Sequence, residues 1–311
     1  MQKREWFFLA YLFQMDKKLL HGAHTALVTP MKDGKVSYTD LQRLLNAQLA
    51  SDISGVVPCG TTGESPTLSD QEHLQVIKST VEVLNGKIPV IAGTGANSTQ
   101  EALELTKKAD QAGADAFLLV APYYNKPSQE GLFAHFSALA ECTEKPIVLY
   151  SIPSRCGIEI STSTISRLYE KHPNICALKE AGGRSAKVSE TVCALGDEFI
   201  VLSGDDGLTL PFIACGAKGV ISVASNIIPN IVANLVNLAL NDNYSEARML
   251  HLKNFQLFND IFIEPNPVPI KTLMHQNNLI SSSEVRLPLT QPTKENLLLL
   301  EKISQNISDL N

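Results

Sequence analysis

Short, unbroken apolar runs alternate along the chain with longer stretches in which apolar residues recur every three to four positions. The first pattern predicts strands buried on both faces, and the second predicts amphipathic helices. Ala26–Thr29 reads as the first strand, followed by a helix opened by Ser37 with Leu41, Leu44, Leu45 and Leu49 on one face. Seven more strands are predicted at 55–59, 89–92, 114–121, 146–150, 175–179, 199–203 and 219–223. Ser69-x-x-Glu72 is a capping-box pattern ahead of the stripe Val76, Ile77, Val81 and Leu84, and Ser98-x-x-Glu101 repeats the signal. Further helices are expected near 128–142, 162–171, 185–194, 207–214 and 229–240. Eight strand–helix units predict an α/β fold of the closed (β/α)8 TIM-barrel kind rather than an open doubly wound sheet.

Beyond the eighth strand the pattern is helical only, near 229–240, 244–262, 267–278 and 292–307. Glu264-Pro-Asn-Pro-Val-Pro269 interrupts it, because three prolines cannot continue a helix. The expected organisation is an N-terminal extension outside the fold (1–20), a catalytic barrel (21–240) and a C-terminal helical region (241–311). Within the extension, the apolar run Trp6–Phe13 is short and no small-x-small cleavage site follows it, so it does not read as a signal peptide. It reads as an upstream start ahead of Met15, or as a short surface helix.

Composition narrows the function. With 44% hydrophobic residues the chain is not of the disordered class. Its 26 basic and 32 acidic residues leave a net charge of −6, which disfavours a phosphate-tracking nucleic-acid binder. No stretch approaches the roughly 20 apolar residues that span a bilayer, so no membrane partner is expected. The six cysteines form no C-x-x-C pair, against a zinc ribbon or thioredoxin-type site. Their scatter through apolar segments fits buried thiols, and a cytoplasmic location is expected.

In a barrel of this kind, chemistry sits at the C-terminal ends of the strands. The polar residues there are Gly60-Thr-Thr-Gly-Glu-Ser65, Pro122-Tyr-Tyr-Asn125, Tyr150 with Arg155, Lys179-Glu180, Gly204-Asp-Asp206 and Ser222. Lys179 closes an apolar strand, where poor solvation lowers an amine pKa and leaves a nucleophile toward carbonyls. The bland alternative is a lysine at the rim paired with Glu180. The Gly60–Ser65 loop could cradle a carboxylate on its backbone N–H groups, although such turns are also common packing solutions. Gly93-Thr-Gly95 fails as a dinucleotide fingerprint, because Ser98 stands where its third glycine belongs. Asp205-Asp206, His21 and His24 lack the partners of a metal site, so no metal is expected.

These motifs, in this order, together with Ile91-Ala-Gly-Thr-Gly-Ala-Asn97 and Gly219-Val-Ile-Ser222, resemble the dihydrodipicolinate synthase / N-acetylneuraminate lyase family of class I, pyruvate-dependent aldolases. The resemblance runs from about residue 22 to near the C-terminus. It implies that Lys179 forms a Schiff base with pyruvate, needing no cofactor. Tyr150 would shuttle protons through Thr61 to Tyr124, the last supplied by a neighbouring subunit. Thr62, with Thr61 beside it, would hold the pyruvate carboxylate, Ile221 would line the pocket through its backbone, and Arg155 would bind the carboxylate of L-aspartate semialdehyde. It further implies a homodimer or homotetramer acting in diaminopimelate and lysine synthesis. An alternative within the family is a lyase for sialic acid or another 2-keto-3-deoxy sugar acid. Thr61-Thr62 and Arg155 favour the synthase, since sialate lyases typically carry Ser-Thr and lack the arginine. A non-catalytic keto-acid sensor would show a damaged catalytic set. Ser151 and Cys156 depart from the family's usual Asn and Thr. Ser65, His73, Asn97, Glu101 and Tyr123 match an allosteric lysine pocket, whereas Pro66 and Asp70 do not fit the pattern of the sensitive bacterial enzymes.

Overall fold

The computed structural model describes residues 19–308. Its eight barrel strands are β1 (Gly22–Ala26), β2 (Gly55–Val57), β3 (Ile91–Gly93), β4 (Ala116–Val120), β5 (Ile147–Ser151), β6 (Ile175–Glu180), β7 (Ile200–Ser203) and β8 (Gly219–Ser222). Each pairs in parallel with its neighbours in chain order, and β8 pairs back onto β1. The last seam, between β2 and β3, is closed by the parallel bridge Val56–Val90 and by bonds from Val56 N–H to Pro89 O and from Gly93 N–H to Pro58 O, both 3.0 Å. A side chain at Gly93 would put its Cβ 2.3 Å from Cys59 O. Glycine there is a packing requirement of barrel closure, which accounts for the first glycine of Gly93-Thr-Gly95 without a ligand.

The helices α1 (Tyr38–Leu49), α2 (Asp70–Leu84), α3 (Thr99–Gln111), α4 (Gln129–Ala140), the single turn α5 (Pro153–Cys156), α6 (Thr162–Lys171), α7 (Ser185–Leu195), α8 (Thr209–Ala214) and α9 (Pro229–Leu240) follow the strands around the barrel. Three more, α10 (Tyr244–Asp260), α11 (Val268–Gln276) and α12 (Lys294–Ser308), follow. Local signals set their starts. Ser37 caps α1, and the box at α2 is complete, with Ser69 Oγ accepting from Glu72 N–H and the Glu72 carboxylate returning to Ser69 N–H. At α3, Ser98 accepts from Glu101 N–H, but the return bond is absent.

The first strand differs from expectation. It runs over Gly22–Ala26, four residues ahead of the predicted start at Ala26, because His24 and Thr25 interrupt the apolar run yet are wholly buried. Each polar group is met inside. His24 Nε2 lies 3.0 Å from Leu20 O, and Thr25 donates to Gln48 Oε1 at 2.6 Å. Leu20 is itself fully buried, and Leu19 beside it packs against the core. The rest of the proposed N-terminal extension, 1–18, lies outside the described residues. The cysteines also divide: Cys59, Cys156 and Cys176 are buried, Cys142 and Cys215 are partly buried and Cys193 is exposed.

Burial lowers the pKa of His24 from 6.5 to about 4, and His73 and His135 move the same way. Between those values the unfolded chain takes up protons that the folded chain refuses, so stability rises with pH across the window and falls as pH is lowered through it. The urea midpoint is expected to drop between pH 6.5 and about 4, less steeply in His24→Gln. Equal slopes in the two proteins would contradict this assignment.

Candidate active site

The strand period of two separates Lys179 from Glu180 at the end of β6. Lys179 turns into a cavity of about 200 Å³ at the barrel mouth, lined also by Thr61, Thr62, Tyr150, Arg155 and Asn266. Glu180 points elsewhere, accepting from Gly182 N–H at 2.6 Å, and burial pushes its carboxyl up to about 7. The rim-pair reading therefore fails: Glu180 forms no ion pair with Lys179. The Lys179 ammonium instead sits 4.3 Å from the centroid of the Tyr150 ring, its strand neighbour across the β5–β6 register.

Lys179 is only 6% exposed, and desolvation lowers its pKa from 10.5 to about 8. At pH 7 roughly a tenth of the side chain is then the neutral amine, against a few parts in ten thousand for a solvated lysine. The negative charge of Asp206 opposes the fall, and the positive charge of the Arg155 guanidinium adds to it. Asp206 is buried and triply held, by Ser222 Oγ at 2.5 Å, Val223 N–H at 2.9 Å and Ala224 N–H at 3.3 Å. Burial still raises its pKa to about 6. Tyr150 is pushed up to about 12 by the same loss of water, moderated by a hydrogen bond with Thr61. The site thus holds a nucleophilic amine, a phenol kept protonated, and a buried carboxylate that takes hydrogen bonds without a cation.

Thr62 is buried in the lining of the same cavity, and its hydroxyl accepts from Asn266 Nδ2 at 3.0 Å. Arg155, carried on α5, reaches Asn266 O at 3.4 Å and stays exposed at the cavity lip. From sequence, Asn266 is only part of a proline-rich breaker, and Asp206 is one of the polar residues at the strand ends with no assigned role beyond a rejected metal pair. Both line or frame the amine's surroundings. A second cavity of about 210 Å³ shares Thr61, Tyr150, Ile152 and Arg155 and extends to Cys59, Ser65, Tyr123 and Cys156.

The Dihydrodipicolinate synthetase family matches residues 19–307. The chain belongs to that family. A 4-hydroxy-tetrahydrodipicolinate synthase of Sulfurihydrogenibium sp. (strain YO3AOP1) is 48% identical over 285 residues, covering 92% of this chain and 97% of the relative. Among solved structures, the 4-hydroxy-tetrahydrodipicolinate synthase from the methanotroph Methylacidiphilum fumariolicum SolV superposes with a TM-score of 0.91 at 49% identity, covering 94% of this chain and 96% of that one. The chloride-inhibited dihydrodipicolinate synthase from Acinetobacter baumannii, complexed with pyruvate, gives 0.90 at 42% identity over 94% of this chain and all of the other.

Of the residues that this dihydrodipicolinate synthetase family member was expected to use, Lys179, Tyr150, Thr61, Thr62 and Arg155 converge on one cavity. Tyr124 does not join them within the single chain: it is 90% exposed, on backbone held at φ 72°. The Ile221 side chain is buried in the barrel, and Val223 takes the cavity wall above it. Ser151, where the family usually has Asn, accepts from Ile160 N–H, away from the cavity. Cys156 donates to Ala121 O at 3.2 Å, and burial pushes its thiol up to about 11, so it is no thiolate nucleophile. Of the allosteric candidates, Ser65 and Tyr123 line the larger cavity. Tyr123 is bonded to the Asn97 backbone and feels the Glu101 charge, while His73 is buried nearby against Gly93.

In protein labelled with ¹³Cε-lysine, the Lys179 resonance is expected to titrate near pH 8, below the 10.5 of a solvated lysine. Asp206→Asn removes the charge that favours the ammonium and shifts the midpoint down. An ordinary lysine titration, or a midpoint that rises in the variant, would refute this electrostatic assignment.

Proposed function

We propose that this chain condenses pyruvate with L-aspartate 4-semialdehyde, the reaction of a 4-hydroxy-tetrahydrodipicolinate synthase and, by class, of a hydro-lyase. The observation that carries the reading is a desolvated Lys179 amine against the Tyr150 ring, in one cavity with Thr61 and Thr62. The neutral amine attacks C2 of pyruvate, and the carbinolamine loses water to give a protonated imine. Thr61 and Thr62 hold the carboxylate, while Tyr150, bonded to Thr61, moves the protons. Loss of a C3 proton gives an enamine, whose C3 attacks the aldehyde carbon of the second substrate. Attack of that substrate's own amine on C2 closes the ring and frees Lys179, with one water lost overall.

Arg155 at the cavity lip suits the carboxylate of an amino-acid semialdehyde rather than the polyol of a sugar acid. Tyr124 enters from a second copy. An aromatic residue kept at positive φ and 90% exposed is costly for an isolated chain, and a homodimer or homotetramer gives it a place. The enzyme works in the cytoplasm without cofactor or metal.

A coupled assay with pyruvate and L-aspartate semialdehyde, run beside Lys179→Ala, tests the reading. The wild type is expected to turn over, and the variant to lose about a thousandfold or more while remaining folded. Cleavage of N-acetylneuraminate with no activity on the semialdehyde would overturn the choice of substrate.

A further inference from the structure

The loop Gly60–Ser65 carries a charge that the chemistry above leaves unused. Glu64 sits two residues beyond Thr62 in a left-handed conformation, φ 54° and ψ 35°, with its side chain almost wholly buried. Its Oε1 accepts from Lys271 Nζ at 2.6 Å, and its Oε2 from Arg286 N–H at 3.0 Å. Lys271, on α11, is also without solvent contact, and its ammonium donates a second bond to Thr29 O at 3.0 Å. Thr29 in turn donates to Gly63 O at 2.7 Å. Asn266, five residues ahead of Lys271 and just before α11, holds the Thr62 hydroxyl. One stretch of chain, 266–271, therefore grips the loop on both sides of Gly63.

Stability alone does not account for this pair. Removing two charges from water costs about as much as their attraction returns, and apolar replacements of equal volume are often as stable or more so. What an apolar pair cannot supply is direction. A carboxylate with bonds to both oxygens, and an ammonium bonded to both the loop and β1's exit, fix the backbone at Glu64 in orientation as well as in place. We propose that the buried Lys271–Glu64 pair is the positioning device of the carboxylate-holding loop, setting Thr61 and Thr62 for the 2-oxoacid. This rests on the proposed role of that loop. Neither residue touches substrate; both act through Thr62.

The test compares steady-state kinetics of Glu64→Gln, Lys271→Met and the double variant with those of Thr62→Val. Phe136→Leu, on the buried face of α4, is included as a variant destabilised away from the site. Loss of alignment at one hydrogen bond to a carboxylate weakens binding about tenfold. The double variant, which leaves no unpaired buried charge, is expected to fold and to raise the pyruvate KM about tenfold, with the semialdehyde KM moved less than twofold. Thr62→Val is expected to raise the same constant, and Phe136→Leu to lower Tm without moving it. A double variant that fails to fold, or that loses Tm and kcat while keeping the wild-type pyruvate KM, overturns the inference and leaves the function intact if Thr62→Val still raises KM. An unchanged KM in Thr62→Val removes the loop's proposed role, and the inference with it.

Discussion

Exclusion of water from one amine is the constraint on which this site depends. Lys179 is the penultimate residue of a strand whose residues are all buried, and its ammonium faces an aromatic ring instead of solvent. A barrel supplies that setting cheaply, because eight parallel strands enclose a dry interior and open only at one end. The cost falls on every polar group that shares the interior. Asp206 answers it with three hydrogen bonds, and Tyr150 by staying protonated. A carboxylate that is buried yet not in contact moderates the amine's pKa without locking it as an ion pair. That balance suits the role proposed for Lys179, which needs an amine basic enough to attack and neutral often enough to do so.

The barrel does not complete the site. Its β2 exit loop would have one free side, and the chain beyond the eighth strand closes it. Phe262 and Asn266 line the cavity, Lys271 reaches through to Thr29 and Glu64, and Arg286 grips Glu72 with both arms of its guanidinium. The chain after the eighth strand is thus a wall of the Lys179 cavity as well as an addition to the fold. This wall also tethers Arg155, the residue proposed to bind the second substrate's carboxylate.

Local signals made much of this legible in advance. The caps at Ser37 and Ser69 mark their helices because a cap is decided within four residues. Lys179 stood out because an amine at the end of an apolar strand is anomalous wherever the chain folds. The first strand was misplaced because His24 and Thr25 are satisfied by Leu20 and Gln48, partners that periodicity cannot see. Asn266 meets Thr62 across 204 positions and Lys271 meets Glu64 across 207, so the site's far wall leaves no mark in either segment alone. The cysteines went the other way: apolar neighbours suggested burial for all six, but Cys193 faces outward on an amphipathic helix.

The most direct test of the central claim is chemical trapping. Protein incubated with pyruvate and reduced with borohydride would be digested and its peptides analysed by mass spectrometry. A single reduced pyruvate adduct on the peptide carrying Lys179, absent without pyruvate, is the predicted result. An adduct on another lysine such as Lys187 or Lys271, or none at all in active protein, would contradict it.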